Sequence, residues 1–160
     1  MKPRLPTLSA LLAGLLLAGG LHATEAARVH ASQAWIRVLP GDLPAGGYVT
    51  LANGGDEPAT LNGAASTTYA EVMLHRSSRE TGMSRMTMVD TLAIPAHGSV
   101  TLAPGGYHLM LMHATHPVKA GDTVKIELRF ADGSALPVDF LARPANTLAP
   151  GDAGGMHHGH

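Results

Sequence analysis

Thr123-Val124-Lys125-Ile126-Glu127-Leu128-Arg129-Phe130 alternates without a fault. Val124, Ile126, Leu128 and Phe130 fall on one side; Lys125, Glu127 and Arg129 fall between them. A period of two is what a strand with one buried and one wetted face requires. Asp132-Gly133 then supplies turn chemistry, and residues 136–141 read as the returning strand. The same grammar extends backward through residues 29–37, 48–52, 59–64, 69–75, 86–92, 99–102 and 108–112. Asn53-Gly54-Gly55-Asp56, Glu80-Thr81-Gly82, Pro95-Ala96-His97-Gly98 and Pro104-Gly105-Gly106 punctuate them. Eight or nine short strands with turns at roughly 8–12-residue spacing predict an all-β sandwich or barrel.

The 160 residues amount to one domain. Lys2 and Arg4 precede an uncharged apolar run over residues 8–18, and Leu21-His22-Ala23 resembles a cleavage site. That order is a secretory leader, and the run is shorter than the ~20 residues of a membrane span. We therefore expect a signal peptide over 1–23, cut after Ala23 or a little later near Ala26, a folded domain over 27–143, and an unstructured tail over 144–160. A lipid anchor would need a cysteine at the cut, and the chain has none. A soluble, exported protein without a membrane anchor is the expectation.

The missing cysteine also excludes a thiol nucleophile, a CxxC redox pair and any thiolate metal site. The formal net charge of −1 and the lack of a basic patch argue against nucleic acid. The composition departs from average elsewhere, with 10 histidines and 8 methionines against 6 aromatics. Four of these residues stand in a telling order: His75, ten residues, Met86, twenty-one residues, His108, one residue, Met110. Taken singly, each histidine reads as a surface residue near a strand end or turn, and each methionine as core packing. Jointly, an accidental match to that spacing has a chance on the order of 10⁻³.

The chemistry of the four suits Cu(I), a soft d¹⁰ ion that prefers thioether and imidazole to carboxylate. Thioethers cannot be protonated away or oxidised to disulfides, and a histidine of ordinary pKa is neutral at neutral pH. His108 and Met110 lie two apart on a strand and so share a face. His75 ends its strand on the face away from Val72 and Leu74, pointing outward, and Met86 follows a turn that could bring it to the same spot. Met73 and Met112 share the faces of His75 and Met110; with Met83 and Met88 they read better as shielding and packing residues than as further ligands. His113 points away from Met110 if its strand is regular. In the tail, Met156, His157, His158 and His160 could capture Cu(II), which favours nitrogen ligands.

This spacing resembles the periplasmic PCu(A)C copper chaperones. So do Arg85-Met86-Thr87-Met88, the stretch from Pro104 to Met112, Ala34-Trp35-Ile36-Arg37, Ala45-Gly46-Gly47-Tyr48 and Gly121-Asp122-Thr123-Val124. The resemblance implies a cupredoxin-like Greek-key β-barrel and a periplasmic location. It implies one Cu(I) held by His75, Met86, His108 and Met110, and delivery toward the CuA centre of cytochrome c oxidase. The implied partners are subunit II of that oxidase or a Sco-type protein. The His-rich tail is a departure that only some members share. A monomer is expected.

Three other functions can be weighed. Blue-copper electron transfer needs a cysteine thiolate, which is absent. An enzyme would show a Ser-His-Asp, His-Glu-x-x-His or paired-carboxylate pattern, and none is found. Storage or resistance by sequestration would use the same ligands as delivery and stays open at this level.

Overall fold

The computed structural model describes residues 22–148. A four-residue helix, α1 (Glu25–Arg28), precedes ten strands. These are β1 (Val29–Arg37), β2 (Ala45–Asn53), β3 (Ala59–Ala65), β4 (Tyr69–Glu80), β5 (Met83–Met88), β6 (Leu92–Ile94), β7 (Ser99–Leu102), β8 (Tyr107–Ala114), β9 (Thr123–Phe130) and β10 (Ala135–Arg143). The expected all-β class holds, with one strand more than the upper count. What read as a single strand over 86–92 is two pieces: β5 closes a hairpin on β4, and the short β6 pairs with β3.

The strands follow the order β5-β4-β8-β2-β1-β10-β9-β3-β6, with β7 also on β2. β2 divides one edge between two partners: residues 45–47 pair with β8 and residues 49–52 with β7. β1 and β10 run parallel; the other pairs are antiparallel. Alternation does what the opening stretch promised, since β9 reads exposed, buried, exposed, buried along its length. Val124, Ile126, Leu128 and Phe130 join Phe140, Leu61, Ile94, Ile36, Val49, Leu51, Leu74, Leu109 and Leu111 in one buried cluster. Each such side chain contributes about 1.5–3 kcal/mol on burial, so the core holds without disulfides or a structural metal.

Residues 24–26, ahead of the expected domain start at 27, belong to the folded unit. Thr24 caps α1 by accepting from the Ala27 amide, Ala26 is buried, and the Glu25 and Ala26 amides donate to Asp132 and to the Ser134 hydroxyl. At the other end Arg37 donates twice, at 3.1 and 2.8 Å, to the carbonyl of Thr147. Residues 1–21 of the expected leader and residues 149–160 of the expected tail lie outside the described residues.

Candidate metal centre

Strand register builds the site. Directly opposed residues of an antiparallel pair project to the same face. His75 on β4 stands opposite His108 on β8 and opposite Met88 on β5. One step along in one direction, Ser77 faces Met86. One step in the other, Met73 faces Met110, and then Glu71 faces Met112. Two imidazoles therefore sit inside a collar of five thioethers on the face opposite the core, because Leu74 and Leu109, their neighbours, point inward at 5% and 1% exposure. The four residues singled out by spacing are all on this face.

The structure corrects two details. His75 does not end its strand; β4 continues to Glu80, and the extension forms the hairpin that carries Met86. His75 points away from the core as expected and is only half-buried, but its polar atoms do not reach solvent. Both its ring nitrogens are buried and neither has a hydrogen-bond partner. An unsatisfied buried polar group costs about 1–3 kcal/mol, so such a group asks for an explanation. Asn53 makes the contrast: it is also buried, but it donates to the Glu57 and Ile94 carbonyls and accepts from the Gly55 amide. Arg28 and Arg143 each leave one buried Nε without a partner, but His75 is the described side chain with both of its polar atoms in that state.

His108 supplies the complementary half. Its Nδ1 lies 3.1 Å from the Gly106 carbonyl. A carbonyl can only accept, so Nδ1 carries the proton and Nε2 keeps its lone pair. The two rings meet edge to face with centroids 5.9 Å apart. Burial, and then the neighbouring His108, hold His75 below the usual histidine pKa, which keeps it neutral and able to ligate. Glu71 is the carboxylate at this strip, two rows from His75, and lies 3.9 Å from His113. His113 itself has φ of 56°, so its strand is not regular there; it turns toward Glu71, beyond the histidine pair. Among the described residues no three His, Asp or Glu side chains converge on one point. Any ion held here must take thioether sulfur, which selects for a soft cation.

The rim differs from end to end. Beyond the histidines, Ser77 and Gly106 offer little side chain, and the Ser77 amide bonds the Gly106 carbonyl. That leaves a low edge over which Met86, 52% exposed, can lean. On the flank, Gly46 stands opposite Met110. A Cβ there would come within 2.5 Å of the Tyr48 hydroxyl, so the glycine makes room for an aromatic wall. Tyr48 packs on Trp35 at 4.6 Å between centroids, with the Arg37 guanidinium over both rings. A groove of about 700 Å³ lies elsewhere, lined by Val38, Leu43, Tyr69, His113 and His116, and does not include the histidine pair. The centre is thus a surface strip, open to a second protein.

Residues 29–142 match the family described as "Putative lipoprotein LpqE-like". The chain belongs to the LpqE-like family. A curated relative, "Putative lipoprotein Lxx21020" from Leifsonia xyli subsp. xyli, is 34% identical over 115 residues, covering 71% of this LpqE-like chain and 69% of the relative. Among solved structures, the Cu(I) form of DR1885 from Deinococcus radiodurans is 34% identical with a TM-score of 0.58, covering 82% of this chain and 86% of that one. The copper-bound PCuAC domain of PmoF2 shares the fold at 23% identity and a TM-score of 0.63, covering 78% and 99%. The cupredoxin-like fold and the kinship with PCuAC domains, expected from the motif, are borne out for this LpqE-like protein.

Met88 is what sequence reasoning undervalued. The Met-x-Met step was visible, but only the ladder register shows that it puts Met88 straight across from His75.

Proposed function

We propose that this protein is an exported copper chaperone that holds one Cu(I) through His75, His108, Met110 and Met86, and passes it on without catalysing a reaction. The observation that carries the reading is the buried, partnerless pair of nitrogens on His75, set against the free Nε2 of His108 inside a ring of thioethers. Two neutral imidazoles and two neutral sulfurs leave the ion's charge uncompensated, which favours Cu(I) over Cu(II). The copper-bound neighbours PmoF2 and DR1885 support the choice of metal.

The division of labour follows the strands. β4 and β8, anchored by Leu74 and Leu109, preset His75, His108 and Met110. β5 brings the last sulfur from an exposed arm. An acceptor can then approach over the low Ser77–Gly106 rim and displace that sulfur first. We propose the periplasm as the place and assembly of a CuA centre as the purpose, with cytochrome c oxidase subunit II or a Sco-type protein receiving the ion. The relative's lipoprotein name fits export. These 160 residues hold no cysteine thiol to accept a lipid, and no described helix is long and apolar enough to cross a membrane. Cu(II) capture by Met156, His157, His158 and His160 remains a proposal about residues outside the described ones.

The test is an anaerobic competition of residues 24–148 against a chromogenic Cu(I) chelator, beside His75→Ala and Met86→Ala. One tight equivalent weakened in both variants supports the reading; binding indifferent to both sinks it. Transfer to a candidate acceptor separates delivery from storage, because a storage protein would retain the ion.

A further inference from the structure

Met88 has no structural employment. It is 66% exposed, no hydrophobic neighbour covers it, and it is among the large apolar side chains the fold leaves in water. Yet its position is fixed on both sides. The amide of Val89, the next residue, donates to the Leu74 carbonyl at 2.9 Å and ties the end of β5 to β4. The ladder between the strands is unbroken, pairing Met88 with His75 and Met86 with Ser77.

Distances across a ladder then rank the two sulfurs. Directly opposed residues have Cβ atoms about 4.5–5.5 Å apart, whereas diagonal neighbours are about 7–8 Å apart. Met88 is opposed to His75; Met86 is its diagonal neighbour. Both are long, with three rotatable bonds, and both lie on the metal face. Met83 and Met88 differ by an odd number of residues, so Met83 projects to the other face of the hairpin, although it is exposed to a similar degree, 63%.

We propose that Met88 is a further copper ligand, sharing the fourth position with Met86 while His75, His108 and Met110 hold the other three. This rests on the Cu(I) reading above. Exchange between the two is a swap of one neutral thioether for another: the copper stays at +1 and no proton moves. When an acceptor ligand takes the place of Met86 at the outer end of the arm, Met88 keeps a sulfur on the ion from the tethered end. The pair lets copper leave in steps without the donor side falling at once from four ligands to the three on β4 and β8.

The test uses the processed chain, residues 24–160, labelled with ¹³C at the methionine methyls, so that each thioether reports separately and the tail's Met156 is resolved from the rest. On adding one equivalent of Cu(I) anaerobically, the Met88 methyl should shift with those of Met86 and Met110, while Met83 stays in place. Affinities of Met86→Leu, Met88→Leu and the double variant complete the cycle, leucine preserving volume on this exposed arm. Each single change should weaken binding by less than about tenfold and the double by more than about a hundredfold. A Met88 signal as still as that of Met83, or a Met86→Leu variant as weak as the double, overturns the proposal while leaving the copper reading intact. If the unsubstituted chain binds no Cu(I), or His75→Ala binds as well as it does, both readings fail together.

Discussion

The β4–β8 pair and the β4–β5 hairpin carry the same chemistry in different mechanical settings. In the first, His75, His108 and Met110 alternate with Leu74, Leu109 and Leu111, which are buried at 5% exposure or less. Their backbones cannot shift without disturbing the core. In the second, all six residues of β5 are exposed, and the arm beyond Arg76 pairs with no third strand. The difference teaches that, under the copper reading proposed above, recognition and release would be separated: the core-backed pair would set which ion fits, and the exposed arm would govern how it leaves.

The sharpest way to break that contrast is to cut into each side. Leu109→Ala, under the histidine pair, should cost about 2–5 kcal/mol of stability, the usual range for emptying a buried leucine. Chemical denaturation would show it, and a loss below 1 kcal/mol would mean that the pair is not core-backed. Next comes His75→Leu. Copper affinity should collapse while the metal-free protein keeps its stability or gains some, because the two partnerless nitrogens disappear. Calorimetry of the metal-free variant decides this; a marked drop in its melting temperature would show that the imidazole is structural after all.

Acidity gives a third, intermediate effect. The His75 pKa is lowered in the folded protein by burial first and His108 second. As pH falls below the ordinary value near 6.5, the unfolded chain takes up a proton that the folded chain resists, so metal-free stability should decline there. Above that value the group contributes no pH dependence. Denaturation midpoints at pH 7.5 and 5.5 should differ more for the parent than for His75→Leu; equal differences would remove His75 as the cause. The smallest effect belongs to the arm. Met86→Ala should change stability by no more than about 0.5 kcal/mol, as exposed positions do, while weakening Cu(I) binding measurably. A large stability loss would show that β5 is part of the fold's foundation.

Much of this was legible in the chain because alternation and burial are the same fact seen twice. β1, β7 and β9 run from end to end where the pattern placed them. The pattern failed where burial on one face failed. β5 is exposed throughout, so nothing in its hydrophobicity marks a period of two, and its start was read three residues late and its end carried into β6. For the same reason His75 read as the end of a strand that in fact runs on to Glu80. α1, at four residues, is too short to show a helical period, and its cap, Thr24, was hidden by the leader reading. The four candidate ligands are legible from spacing and residue chemistry, and the register places all four on one face. The orphaned nitrogens of His75 and the position of Met88 were not, since both depend on which strand lies beside which.

The double hydrogen bond from Arg37 to Thr147 has a practical consequence for anyone purifying the protein. Arg37 stands opposite Gly46, and Gly46 opposite Met110. Thr147, near the last described residue, is therefore held about two strand widths, roughly 10 Å, from the strand that carries Met110. A polyhistidine affinity tag joined directly after residue 148 would start beside the proposed ligands, and its imidazoles would compete for the same ion. A tag at the amino end, where Glu25 docks on the β9–β10 turn, or one removed before titration, avoids the artefact.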